Sequence, residues 1–94
     1  MAKIHIKGFI LQLLHRQPDI WDYDIADIVM REYNYSDRTY WLGAIRVSLA
    51  ELDAGGLVQQ VDDQVSGSTG RVQFQYRISK FGERRMRDTG LLPA

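Results

Sequence analysis

Apolar and polar residues alternate without a break along Val72-Gln73-Phe74-Gln75-Tyr76-Arg77-Ile78. Strict alternation predicts a strand with one wet face: Val72, Phe74, Tyr76 and Ile78 turn toward a core, and Gln73, Gln75 and Arg77 toward water. Its partner is expected in Leu57-Val58-Gln59-Gln60-Val61. Between them, Asp62 to Gly70 is polar and ends in Ser66-Gly67-Ser68-Thr69-Gly70, the composition of an exposed hairpin loop. A lone hairpin is at best marginally stable in water, so helices must cover its apolar face.

The rest of the chain supplies them. From Ile4, apolar residues fall at Ile6, Phe9, Ile10, Leu13 and Leu14, the spacing of a helix with one buried stripe, stopped by Pro18. Asp22 is a candidate cap for a second helix, with Asp24 adding negative charge to its first turn and Ile25, Ile28 and Val29 on its buried face, running to about Tyr33. Asn34-Tyr35-Ser36-Asp37 breaks the pattern. Ser36 or Asp37 then caps a third helix that begins near Arg38 and carries Leu42, Ile45, Leu49 and Leu52 on one side. Gly55-Gly56 ends it, glycine being the residue that most readily takes the left-handed conformation of a helix C-terminus. A short fourth helix, with Phe81, Arg84, Arg85 and Met86, follows Ser79. The predicted architecture is α+β in the order α-α-α-β-β-α, a winged helix-turn-helix with a two-stranded wing, forming a single domain over residues 1–94.

Two stretches carry a family resemblance: Leu52-Asp53-Ala54-Gly55-Gly56-Leu57-Val58, and Tyr76-Arg77-Ile78-Ser79-Lys80-Phe81-Gly82. They resemble PadR-type winged helix-turn-helix transcription regulators, which have a leucine, an acid, two variable residues and Gly-Leu-Val leaving the recognition helix, then Tyr-Arg-Leu-Thr and a glycine after the wing. The resemblance spans residues 8–86 and includes Tyr23-Asp24-Ile25-Ala26 at the start of the second helix. It implies a DNA-binding regulator with a recognition helix at about 38–54 in the major groove and a wing at 62–71 on the backbone or minor groove. Two features depart from the family. Ile45-Arg46-Val47-Ser48-Leu49 stands where the family has a proline-containing approach, and only about a dozen residues follow Gly82, where the family adds a helical dimerisation region. A small phage or plasmid regulator would share this plan.

Composition narrows the function classes. The chain has no cysteine, which removes disulfides and thiolate metal sites and fits a reducing cytoplasm. The start, Met1 to Lys7, lacks the apolar stretch of a secretory signal, and no apolar run is long enough to span a bilayer. His5 and His15 are too far apart for one helical metal site, and no nucleophile, base and acid group together, so neither an enzyme nor a bound metal or other cofactor is expected. Twelve bases balance twelve acids, yet the distribution is uneven: residues 51–63 hold four acids and no base, whereas 71–94 hold six bases against two acids. A basic end suits a phosphate partner, although the neutral sum is unusual for a nucleic-acid binder.

If the third helix enters a groove, the side opposite its apolar stripe does the reading. At about 100° per residue that side displays Tyr40, Gly43, Ala44, Val47 and Glu51, with Thr39 and Arg46 on the flank. Arg46 is a candidate for guanine, Ala44 or Val47 for a thymine methyl, and Thr39 for a base edge or a phosphate. Arg38 ahead of the helix, Arg71 after the wing tip, and Ser68 and Thr69 at the tip are candidates for the backbone. Double-stranded DNA is the expected partner, read by a homodimer that uses the first helix and the apolar Phe81, Met86, Leu91 and Leu92. The alternative is a winged helix that docks proteins through the apolar outward face of its third helix, as the neutral net charge also suits, with Tyr33, Tyr35, Tyr40 and Trp41 crowding the adjacent turn.

Overall fold

The computed structural model describes residues 5–65, 67 and 70–91; Ser68, Thr69 and Leu92, named above as candidates, lie outside the described residues. The chain runs α1 (Ile6–Arg16), β1 (Ile20–Trp21), α2 (Asp22–Tyr33), α3 (Arg38–Ala54), β2 (Val58–Val65), β3 (Val72–Ile78) and α4 (Lys80–Asp88). The architecture is α+β, four helices and a three-stranded antiparallel sheet in the order β1-β3-β2. The expected order lacked β1. This two-residue strand pairs Ile20 with Tyr76 and Trp21 with Gln75, which places β3 in the middle of the sheet.

The apolar stripes meet as their spacing demands. Ile10, Leu13 and Leu14 of α1, Ile25 and Val29 of α2, and Ile45, Leu49 and Leu52 of α3 form one buried cluster with Val58, Tyr76 and Met86. Each helix end has an identifiable stop or start. Asp37 caps α3 by accepting the Tyr40 N–H at 3.1 Å, and Ser79 caps α4 by accepting the Gly82 N–H at 2.8 Å. At the end of α3 the left-handed residue is Gly56 (φ 78°), not Gly55: the Leu57 N–H donates to the Leu52 carbonyl and the Gly56 N–H to that of Asp53, both at 2.9 Å. The second helix departs from expectation at its start. Trp21 occupies the cap position with no side-chain bond, and Asp22 is the first helical residue, its side chain fully buried.

The hairpin of β2 and β3, expected as the wing, is longer and wetter than its sequence pattern predicts. β2 continues past Val61 through Asp62, Asp63 and Gln64 to Val65, residues expected in the loop, with a register shift between Gln60 and Asp62. Alternation along β3 becomes burial only near its base: Tyr76 is buried and Phe74 half-buried, but Val72 is exposed, as is its cross-strand partner Val65. The reason is reach. The sheet's base lies on the helices, while its far half projects beyond them, so pattern there has no core to meet. Met86, expected as spare apolar surface for a second subunit, is wholly buried in this core, whereas Phe81 is 45% exposed.

Candidate nucleic-acid interface

The N-terminal half of α3 meets the wing at a cleft of about 420 Å³, floored by Leu42 and walled by Tyr23, Thr39 and Val72 together with three arginines, Arg38, Arg46 and Arg71. Each arginine comes from a different local circumstance. Arg38 is the first residue of α3, Arg46 lies two turns on, and Arg71 ends the wing loop.

Their partners differ in a way that decides what they can do. Arg38 is bonded to Asp27 of α2, its side chain 50% exposed and that of Asp27 42%. An exposed pair of this kind is worth about 0–1 kcal/mol, so an incoming phosphate can replace the carboxylate. Arg46 is held quite differently. Its Nε donates to Oδ2 of the fully buried Asp22 at 2.8 Å and its Nη2 donates to the Val72 carbonyl at 2.6 Å. The Tyr23 and Phe74 rings flank the guanidinium at 5.2 and 5.9 Å. Breaking such a pair strands a charge in the interior, which costs several kcal/mol. Arg46, expected on the outward flank as a guanine reader, is therefore corrected to an inward-bonded residue.

The remaining candidates on α3 face water. Thr39, Tyr40, Gly43 and Val47 are exposed and Ala44 is half-buried. Nothing lies within 4 Å of where a Gly43 Cβ would stand, so another surface can approach the helix backbone there. This face is uncharged until Glu51, which pairs with Lys7 at 3.3 Å. Beside it the rings expected to crowd the turn do so in an ordered chain. Phe9 meets Tyr33 edge-on, Tyr33 stacks on Tyr35, Tyr35 lies flat on Trp41 at 3.9 Å, and Tyr40 meets Trp41 edge-on. Burial, with smaller contributions from Tyr35 and Glu32, pushes the Tyr33 hydroxyl above its ordinary pKa.

Two further surfaces frame the cleft. The wing bears Asp62 and Asp63, both exposed, and α4 bears exposed Lys80, Arg84, Arg85 and Arg87. Among the described residues no group of three His, Cys, Asp or Glu side chains is placed to hold a metal ion, and no helix is long and apolar enough to cross a membrane. Comparison with known protein families, curated proteins and solved structures finds no match.

The sequence singled out Arg38, Thr39 and Arg71 separately, ahead of α3, on its flank and after the wing tip, and the cleft brings the three together. Sequence reasoning missed Asp22, Tyr23 and Asp27 as the groups that hold the arginines. Asp22 and Arg46 are 24 residues apart, and no local pattern links an acid in one helix to a base in the next. The nearest signal was Asp22 itself, an acid immediately after the apolar Ile20-Trp21, where burial on the sheet side was foreseeable.

Proposed function

We propose that this chain is a winged helix-turn-helix protein that binds double-stranded DNA, with α3 in the major groove and the β2–β3 wing against the flanking backbone. The observation that carries the reading is the convergence of Arg38 and Arg71 on one cleft, beside an exposed, uncharged helix face with Gly43 at its centre. Arginines at the rim attract and position phosphates, and the small and hydroxyl-bearing residues between them can reach base edges. The resemblance to PadR-type regulators supports the same assignment and adds transcription control in the cytoplasm as its setting. Thr39, Tyr40, Ala44 and Val47 are then the base-facing residues, and Arg38 and Arg71 the phosphate-facing ones. Useful specificity from so short a helix calls for two copies on a two-fold site, which assigns the exposed Phe81 and the outer side of α1 to a homodimer contact.

The test is a titration of fluorescent duplex with purified protein across a range of salt. Binding that weakens linearly in log salt, with sequence preference after selection from random duplexes, is the expected result. No binding at low salt overturns the reading.

One observation favours a second reading: Tyr40 and Val47, 63% and 60% exposed, are apolar surface on the same face, and Asp62 and Asp63 on the wing would repel phosphate. A protein-docking winged helix would use that face without DNA. Val47→Glu would then abolish partner capture in a chain indifferent to duplex.

A further inference from the structure

We infer that Arg46 is a positioning residue: anchored on buried Asp22, it is the strut that holds the wing at one fixed angle to α3. The geometry is specific. One planar guanidinium on α3 ties in two further elements, donating to the Asp22 carboxylate of α2 and to the Val72 carbonyl of β3, while the Tyr23 and Phe74 rings of the same two elements close on it. The wing needs such a device. Its base is secured by sheet pairing as far as Trp21 with Gln75, and beyond that point β1 ends. Val72 and Val65, farther out, are exposed, so apolar packing contributes little to holding the outer wing in place. Arg46 bonds the hairpin three residues beyond the last β1 pair.

Asp22 makes the strut durable. Its side chain is fully buried, one oxygen takes the Arg46 bond, and the other, Oδ1, has no hydrogen-bond partner among the described residues. A buried carboxylate so poorly supplied depends on this one guanidinium, which keeps Arg46 from turning outward to a competing anion. A lysine could answer the charge but not the geometry, because a single ammonium lacks the planar fork that spans Asp22 and Val72 at once. The spacing between helix and wing, and hence the pair of surfaces a duplex would meet together, is preset in the free protein. That last consequence rests on the DNA reading above; the strut itself does not.

The chain has no cysteine, so Gln64→Cys on the outer wing and Ala50→Cys on α3 would carry two spin labels and nothing else would. The distance distribution between them, measured without DNA, is expected to be single and narrow. Arg46→Lys, which keeps the charge that Asp22 requires, is expected to at least double its width while thermal unfolding stays cooperative. Arg46→Met is expected to broaden it likewise; should that variant fail to fold, the double variant Asp22→Leu/Arg46→Met removes both charges together and is expected to fold with an equally broad distribution. A width as narrow as in the parent, in any of these variants that folds, overturns the proposal. Duplex titration of the same proteins is read separately: no binding by any of them would defeat the DNA reading and leave the strut standing.

Discussion

Gly82 lies against the carbonyl oxygen of Leu57, so close that an added Cβ would stand 2.1 Å from that oxygen and 2.9 Å from the Ile78 side chain. The contact belongs to a knot of bonds at the root of the wing. The Ser79 N–H donates to the Leu57 carbonyl at 3.0 Å, and the Ser79 hydroxyl reaches the carbonyls of Gly56 and Leu57. The glycine that follows the wing therefore has a packing reason that owes nothing to DNA.

Gly82→Ala is expected to force α4 away from the α3–β2 turn and to destabilise the fold by about 1–3 kcal/mol, the usual cost of overpacking. Thermal unfolding checks it. Gly43→Ala is the matched control: its Cβ meets nothing within 4 Å, so the helix gains about 0.5–1 kcal/mol. If the DNA reading holds, the same methyl weakens duplex binding although it strengthens the fold.

Leu49→Ala is expected to cost about 2–5 kcal/mol, because Leu49 is wholly buried at the centre of the α3 stripe. A fall in melting temperature with unchanged cooperativity is the expected result. An unchanged midpoint would mean that the stripe faces elsewhere.

That stripe was legible because period alone fixes which face of a helix is covered. The wing was half legible. Tyr76 obeys its alternation and Val72 does not, since the outer hairpin has water on both faces, and for the same reason Asp62-Asp63-Gln64 reads as loop while continuing as strand. Ile20-Trp21 is too short to show any period, and its strand exists only because β3 lies next to it. At the site, Arg38, Thr39 and Arg71 were singled out one by one from their places in the sequence, but their meeting in one cleft was not legible. Nor was the inward turn of Arg46, because a charged residue on a helix flank reads as solvent-facing until its buried acid is located.

If the DNA reading holds, Asp27→Ala is expected to tighten duplex binding a few-fold with little change in stability. It removes the carboxylate that competes with phosphate for Arg38, and the exposed pair itself contributes only about 0–1 kcal/mol. Anisotropy titration at fixed salt measures the change. Weaker binding would show that Asp27 orients Arg38 for the contact.

If the DNA reading holds, Arg71→Ala is expected to weaken binding to all duplexes alike and to lower the slope of log affinity against log salt by about one unit, as loss of one phosphate contact does. A loss confined to one base position would instead make Arg71 a reader.

Stability is expected to fall at alkaline pH partly through Tyr76. Burial, then Asp53 and Asp22, raise its hydroxyl above the ordinary value of 10.0, against an opposing effect of Arg46. The folded state thus holds this proton more tightly than the unfolded chain. Its contribution is complete below about pH 10 and is lost as pH rises through the folded value. Tyr76→Phe should show a shallower decline in melting temperature between about pH 9 and pH 11, and an identical decline would assign the effect to other groups.

The place of β3 between β1 and β2 also governs how the protein can be made. Gln75 bonds back to the carbonyl of Asp19, 56 residues earlier, so the first strand of the sheet waits for the last. During synthesis α1, α2 and α3 emerge with their apolar stripes facing a sheet that has no central member, and Asp22 emerges long before the segment that finally encloses it. A product cut short before Val72 keeps most of the helical sequence but none of the strand pairing, and such a chain exposes apolar surface to chaperones and proteases. Closure of the core thus waits on β3, and copies truncated ahead of it are expected to be cleared before they accumulate.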